Sequence, residues 1–324
     1  MNAQFGKVGV LCGGRSAERE VSLMSGNGVC EALRSKQVDA HLFDTGLHSI
    51  AELIDQKFDR VFIALHGRYG EDGTLQGLLE LLGVPYTGSG PMASSIAIDK
   101  IMTKKVWLQA GLMTPGFAEI VSEDQLEKAV SKLGLPMMLK APNEGSTLGV
   151  VKVTKPSELS AAYREASQYD KVVLAEQFVK GKEITVAIIG SGEQAKTLPP
   201  IQIVAPEGNY DYQNKYFTDV TQYFCPAPIA DNVSEHIGAL ALRAYHALGC
   251  EGWARADFML DEQDRPWLIE INTAPGMTGH SLVPMAAKAV GMSYPELCVE
   301  ILETARCKVG SPHVIVKPIQ SMTA

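Results

Sequence analysis

The stretch WARADFMLDEQDRPWLIEIN, residues 253–272, reads as two strands joined by a polar turn at 261–265. Side chains alternate across a strand, so Arg255 and Asp257 share one face of the first strand, and Glu270 and Asn272 share one face of the second. If the two polar faces coincide, two carboxylates, an amide oxygen and a guanidinium converge. The sequence alone does not set that register, and a solvent-facing polar side of an edge hairpin is the plainer alternative. Two features favour convergence: Phe258, Met259, Leu268 and Ile269 pack the hairpin, and Asn272 runs straight into Thr273-Ala274-Pro275-Gly276-Met277. Oxygen-only ligands of this kind suit Mg²⁺, above all when the phosphates of a nucleotide complete its shell.

Working outward, residues 7–12 form an apolar strand that ends in Gly13-Gly14, and 18–35 carry apolar residues at helical intervals. A second buried strand at 59–65 ends at His66-Gly67, and Thr74–Leu82 reads as a helix before Gly83-Val84-Pro85. The first hundred residues thus make a small parallel α/β unit. A helix follows Asp99-Lys100 and runs to Ala110, and 111–115 link it to a second unit with strands at 137–140, 150–153 and 172–176. A third unit begins at Glu183 with a strand at 184–189, continues through a helix with a capping-box start at Asn232 and Glu235, and holds the hairpin. Residues 205–224 carry Tyr210, Tyr212, Lys215, Tyr216, Phe217 and Tyr223 with no sustained period, as expected of a lid or binding loop.

Two further segments carry chemistry. Lys140, followed by Asn143-Glu144-Gly145-Ser146-Thr147-Leu148-Gly149, sets a strand-end lysine before a loop whose backbone N–H groups can surround phosphate; an ordinary turn is the alternative. It is not a Walker A sequence, and Gly13-Gly14 does not complete a Rossmann fingerprint. Glu18 follows that glycine turn at a helix start, where it can bind an ammonium group or where it or Ser16 can simply cap the helix. His66, at a strand's C-terminal end, lies where open α/β sheets bind ligands, or is a hydrogen-bonded structural group.

Composition narrows the classes. The 324 residues are 46% hydrophobic and 20% charged with a formal net charge of −8, which argues for a globular chain and against a nucleic-acid partner. The first ten residues lack signal-peptide order and no apolar run reaches membrane-spanning length, so neither export nor a membrane partner is expected. Six cysteines, spaced far apart without a CxxC pair, read as reduced core thiols in a cytoplasmic protein.

Taken in order, GGRSAEREVS (13–22), ALHG (64–67), GEDGTLQG (70–77), PYTGSG (85–90), EGS (144–146), TQY (221–223), EINTAPGMT (270–278) and SLVP (281–284) resemble the D-alanine:D-alanine ligases of the ATP-grasp superfamily. The resemblance spans residues 7–306. It implies an α/β (α+β), three-domain ATP-grasp architecture: an N-terminal α/β substrate-binding domain (1–98) and two domains sandwiching the nucleotide (99–182 and 183–310, with a lid at 205–224), then a tail (311–324). It implies ATP-dependent joining of two D-alanine molecules through an acyl phosphate, for peptidoglycan precursor synthesis, in a cytoplasmic homodimer using two Mg²⁺ or Mn²⁺ ions per site.

The same resemblance implies roles. Lys100 and Lys140 hold the α- and β-phosphates, and Lys215 contacts the transferred phosphoryl group. Glu176, with the backbone of Gln177 and Val179, takes the adenine, and Glu183 the ribose. Asp257, Glu270 and Asn272 hold the metal ions. Glu18 binds the first ammonium with His66 nearby, Arg255 and the Gly276 N–H stabilise oxyanions, Ser281 and Leu282 receive the second carboxylate, and Ser146 and Tyr216 link to Glu18 on closure. Ala141 and Gln177 depart from the family's usual proline and lysine, which bears on flap geometry and nucleotide affinity. The competing readings are a D-alanine:D-lactate ligase, which Tyr216 argues against, and a non-catalytic nucleotide-binding regulator or Mg²⁺-dependent phosphate-ester hydrolase, which have no need of the 276–282 segment or Arg255.

Overall fold

The protein is described by a computed structural model covering residues 4–145, 149–205 and 221–309; Ser146, Lys215 and Tyr216, most of the expected lid and the tail lie outside the described residues. A parallel sheet of order β2-β1-β3 comes first, from β1 (Lys7–Cys12), β2 (Asp39–Asp44) and β3 (Arg60–Ile63), with α1 (Arg19–Ser35), α2 (Ile50–Asp55) and α3 (Thr74–Leu82). Two helices follow, α4 (Pro91–Ile98) and α5 (Lys100–Gln109), the latter capped by the Asp99 carboxylate on the N–H groups of Ile101 and Met102.

The second sheet has the order β4-β7-β5-β6, every neighbour antiparallel, from β4 (Phe117–Ile120), β5 (Met137–Lys140), β6 (Val151–Val153) and β7 (Val173–Gln177), backed by α6 (Leu126–Leu133) and α7 (Leu159–Ala166). The third comprises β8 (Gly181–Ile189), β9 (Lys196–Thr197), β10 (Ile201–Val204), β11 (Gln222–Phe224), β12 (Trp253–Asp261) and β13 (Pro266–Asn272), in the order β11-β10-β8-β12-β13 with β9 on β8. Around it lie α8 (Asp231–Ala247), α9 (Leu282–Ala289) and α10 (Tyr294–Glu303).

The expected capping box at Asn232 is not formed. The helix starts two residues earlier, with Ala230 rather than Asn232 as the extended cap, so Asn232 already lies inside the first turn, and Asp231 places a carboxylate where the helix dipole favours it. β8 likewise begins at Gly181, two residues before Glu183.

Packing divides differently from the sheets. The second sheet has its own core, in which Met137, Leu139, Val153 and Ala175 meet Leu126, Ala129 and Ala162. The first and third units share one: Val8, Val10, Val29 and Leu33 pack with Ala187, Ile189, Trp253, Val283, Leu297 and Ile301. α4 and α5 contribute Ala93, Ala97 and Trp107 to the opposite side of the third sheet, against Ile184, Val186, Ala256 and Phe258, rather than to the 117–177 unit. Cys12, Cys30, Cys250 and Cys298 are buried and unpaired, and among the described residues no helix is long and apolar enough to cross a membrane.

Gly252 marks where the two outer units press together. Its φ is +76°, and a Cβ there would sit 2.9 Å from both the Gly88 nitrogen and the Thr304 hydroxyl. Gly252→Ala is therefore expected to cost about 1–3 kcal/mol of unfolding free energy, from the left-handed backbone and from displaced backbone at Gly88. Denaturant titration showing no loss would mean that this junction yields freely.

Candidate active site

The third sheet fixes the hairpin register. Asp257 lies opposite Glu270 and Arg255 opposite Asn272, so the two polar faces coincide. A bulge follows, with Phe258 opposite Leu268, leaving Ile269 as the extra residue. Strict alternation would put Leu268 on the same face as Glu270; the bulge instead lets Leu268 join Phe258 in the core. On the other side of β12, Asp257 pairs with Thr185 and Met259 with Glu183, which sets Glu183 on the same polar face, farther along it.

The polar groups on this face hold one another. Arg255 donates from Nε and Nη2 to the two oxygens of Asp257, at 2.9 and 2.7 Å. Thr185 Oγ1 donates to Asp257 at 2.5 Å, and Asn272 Nδ2 at 3.2 Å. Lys100, at the start of α5, reaches Glu270 at 3.1 Å and the Glu144 carbonyl at 2.8 Å. Burial opposes the charge, but Glu270, Glu176 and Glu71 together outweigh it and raise the Lys100 pKa. Among the described residues no group of three or more His, Cys, Asp and Glu forms a closed metal cage. Two carboxylates and an amide oxygen on an open face fit a hard cation that takes its remaining ligands from phosphate and water.

A cleft of about 630 Å³, counting the part open to solvent, brings together Glu18, His66, Arg255, Glu270, Asn272, Gly276, Ser281 and Leu282, with Glu71 and Gly145 also in its wall. A second cleft of about 360 Å³ shares Glu71, Gly145, Glu270 and Asn272 and adds Lys100. Two ligand spaces thus meet at the open end of the hairpin. Glu18 is the residue before α1 yet makes no capping bond with its side chain. Gly67 and Gly145 make room for its carboxylate: a Cβ at either would come within 2.8 or 3.2 Å of Oε2.

His66 is nearly fully buried, and both ring nitrogens are engaged. Nδ1 lies 2.9 Å from the Ala274 carbonyl, which can only accept, so Nδ1 carries the hydrogen and Ser25 Oγ donates to Nε2 at 3.0 Å. Burial pushes the ring's pKa down, in keeping with a neutral imidazole. Ser25 Oγ also accepts from the Met277 N–H, so His66 and Ser25 together pin the 274–277 turn that presents Gly276. Ser281, just before α9, anchors the same segment by accepting from the Thr278 N–H at 2.9 Å.

Lys140, Glu176 and Gln177 lie on the second sheet and Val179 just after β7, away from that cleft. Glu176 is buried and ion-paired to two lysines, Lys140 on one oxygen and Lys104 on the other. Burial opposes its ionisation, but the two ammonium groups outweigh that and hold the carboxyl below its ordinary range. Lys104 has no solvent exposure; its pKa is pushed down by burial, and its Nζ also donates to Thr114 Oγ1 at 2.5 Å. Lys104 and Glu71 were missed in the sequence. Lys104 follows Lys100 by four residues on one helix, so both face inward, and that spacing was the available signal. Glu71 was legible only as part of the 70–77 string.

Comparison with known proteins follows the same outline. The family models described as D-ala D-ala ligase N-terminus and C-terminus match residues 48–89 and 106–303. A D-alanine–D-alanine ligase from Bordetella avium is 66% identical over 312 residues, covering 96% of this chain and 98% of that relative. Among solved structures, the D-alanine–D-alanine ligase from Bacillus anthracis complexed with ATP matches at 35% identity with a TM-score of 0.79, over 92% of this chain and 96% of that one. The VanG D-Ala:D-Ser ligase from Enterococcus faecalis matches at 28% identity with a TM-score of 0.80, over 92% and 98%.

Glu71 gives this cleft a pH dependence. Burial, with the charge of Glu18 beside it, pushes its carboxyl up from 4.5 to about 8, while the Gly67 N–H donates to it at 2.9 Å. A raised carboxyl pKa means that the fold favours the protonated form, so its contribution is full below the ordinary carboxylate range and is lost as pH rises through about 8. Glu71→Gln, which mimics the protonated group, is expected to gain thermal stability relative to the parent as pH rises from about 5 to about 9. A constant difference in melting temperature across that range would show that Glu71 titrates normally.

Proposed function

The chain belongs to the D-alanine–D-alanine ligase family, and on that premise we propose how its cleft joins two D-alanine molecules in a reaction driven by ATP. The observation that carries the reading is the β12/β13 register, which sets Asp257, Glu270, Asn272 and Arg255 on one face, with Glu270 and Asn272 lining both of two adjoining clefts. We assign the first cleft, lined by Glu18, Arg255 and Ser281, to the two amino acids and the second, walled by Lys100, to the phosphates.

A carboxylate is a poor electrophile. Glu18 holds the ammonium of the first D-alanine so that its carboxylate oxygen attacks the γ-phosphorus of ATP; ADP leaves and an acyl phosphate forms. Lys100 and Lys140 offset phosphate charge, and Glu176 fixes Lys140 while the Gln177–Val179 edge takes the adenine and Glu183 the ribose. Asp257, Glu270 and Asn272 would hold Mg²⁺ or Mn²⁺, two ions in the family pattern, which would supply charge neutralisation of the triphosphate. The second D-alanine puts its carboxylate at the start of α9, where Ser281 and Leu282 and the helix dipole favour an anion. Its neutral amine attacks the acyl carbon, Arg255 and the Gly276 N–H stabilise the tetrahedral oxyanion, and phosphate departs as the peptide bond forms. For Lys215, Ser146 and Tyr216, outside the described residues, the family reading gives contact with the transferred phosphoryl group for Lys215 and a link to Glu18 for the other two, and the acyl phosphate must be kept from water while the amine attacks. A cytoplasmic homodimer accords with the same family reading.

The full chain is expected to release ADP in the presence of ATP, Mg²⁺ and D-alanine but not L-alanine, and to form D-alanyl-D-alanine by mass spectrometry even with equimolar D-lactate. Glu270→Gln is expected to lower turnover at least about a hundredfold with folding intact by circular dichroism. A depsipeptide as the main product near neutral pH would move the chain to ester formation, and near-normal turnover in the variant would remove Glu270 from the metal site.

A further inference from the structure

Arg68 crosses from the first unit to the second. Its Nε donates to Glu144 at 2.8 Å and its Nη2 to Asp170 at 3.3 Å and to the Tyr169 carbonyl at 3.5 Å. The guanidinium is half exposed, but Glu144 and Asp170 are 17% and 12% exposed, so the pairing is only partly screened by water. Asp170 also accepts the Asn143 N–H at 2.9 Å. Residues 142–145, gripped in this way, touch both ligand regions. The Lys100 backbone N–H donates to the Pro142 carbonyl at 3.1 Å, and the Lys100 ammonium to the Glu144 carbonyl at 2.8 Å. At the other end, Gly145 abuts the Glu18 carboxylate.

We propose that Arg68, with Asp170, is a positioning residue for the ligation: it clamps the 142–145 segment so that the phosphate lysine Lys100 and the ammonium-binding Glu18 are held in mutual register. One guanidinium lies between two carboxylates. Without it, Glu144 and Asp170 repel each other, and the segment that carries the Lys100 acceptor shifts. A displacement of this kind at a site that aligns two reactants is costly far beyond the contact itself. Lysine cannot replace Arg68 fully, because a single ammonium lacks the planar fork that spans two acceptors.

The proposal rests on the ligase reading, and two measurements on the full chain separate them: steady-state ADP release with ATP and D-alanine, and equilibrium binding of ADP alone. Arg68→Ala is expected to raise KM for the first D-alanine and for ATP together, by about tenfold, with kcat falling by less, and to weaken ADP binding severalfold. Arg68→Lys should recover part of this, and Asp170→Asn, which keeps an oxygen for the Asn143 N–H, should have a smaller effect. Added NaCl should raise KM in the parent more than in Arg68→Ala. Unchanged KM values and ADP affinity in a folded Arg68→Ala, or a fall in kcat alone, would overturn the clamp. Absence of D-alanine-dependent ADP release from the parent would overturn the ligase reading instead, and the ADP-binding comparison would still decide the clamp.

Discussion

The site depends on one extra residue. With Ile269 bulged out of β13, Glu270 faces Asp257 in the cleft while Leu268, two residues earlier, stays in the core beside Phe258. Without the bulge, either a leucine enters the polar cleft or a carboxylate enters the core, and an unpaired buried charge is the costlier outcome. Everything else on that face follows from this register: Thr185 and Arg255 reach Asp257, Lys100 reaches Glu270, and Glu183 lies farther along the same surface.

A second layer of charge lies beside the region proposed for the nucleotide. Lys104, Glu176 and Lys140 form a buried ion triad with one more positive than negative charge, and Thr114 ties it to the hairpin by donating to the Leu268 carbonyl at 2.8 Å while accepting from Lys104. The excess positive charge suits an anionic ligand at Lys140, and the link through Thr114 makes the two sheets share one polar framework. Glu176 is thereby held by two lysines, an environment that a reading of its role toward adenine alone does not convey.

How much of this was legible in the sequence depends on whether a feature is local. The faces of Arg255, Asp257, Glu270 and Asn272 follow from strand alternation, and the start of α5 follows from Asp99. The bulge at Ile269 was not legible, because the consecutive apolar residues Trp267-Leu268-Ile269 break the alternation without saying where, and only the pairing shows which residue is extra. The Arg68 clamp and the Lys104 triad were likewise hidden, since their partners are 76 and 72 residues away in the chain. His66 was readable as a residue at the site, but its bonds to Ser25 and Ala274, which decide its tautomer, were not. The capping box at Asn232 failed for a local reason, because the helix runs two residues further to Ala230, a cap that makes no side-chain bond and leaves no signature in the sequence.

The core shared by the first and third units also has a consequence for synthesis on the ribosome. Val8, Val10 and Val29 emerge early, but their partners Val283, Leu297 and Ile301 come more than two hundred residues later. At ~5–20 residues per second, the nascent first unit waits roughly ten to fifty seconds with that face uncovered. The 117–177 unit, whose core is its own, can close as soon as it leaves the exit tunnel. The middle of the chain is thus able to fold before its beginning, and the opening strands form a surface suited to chaperone binding until the last helices arrive.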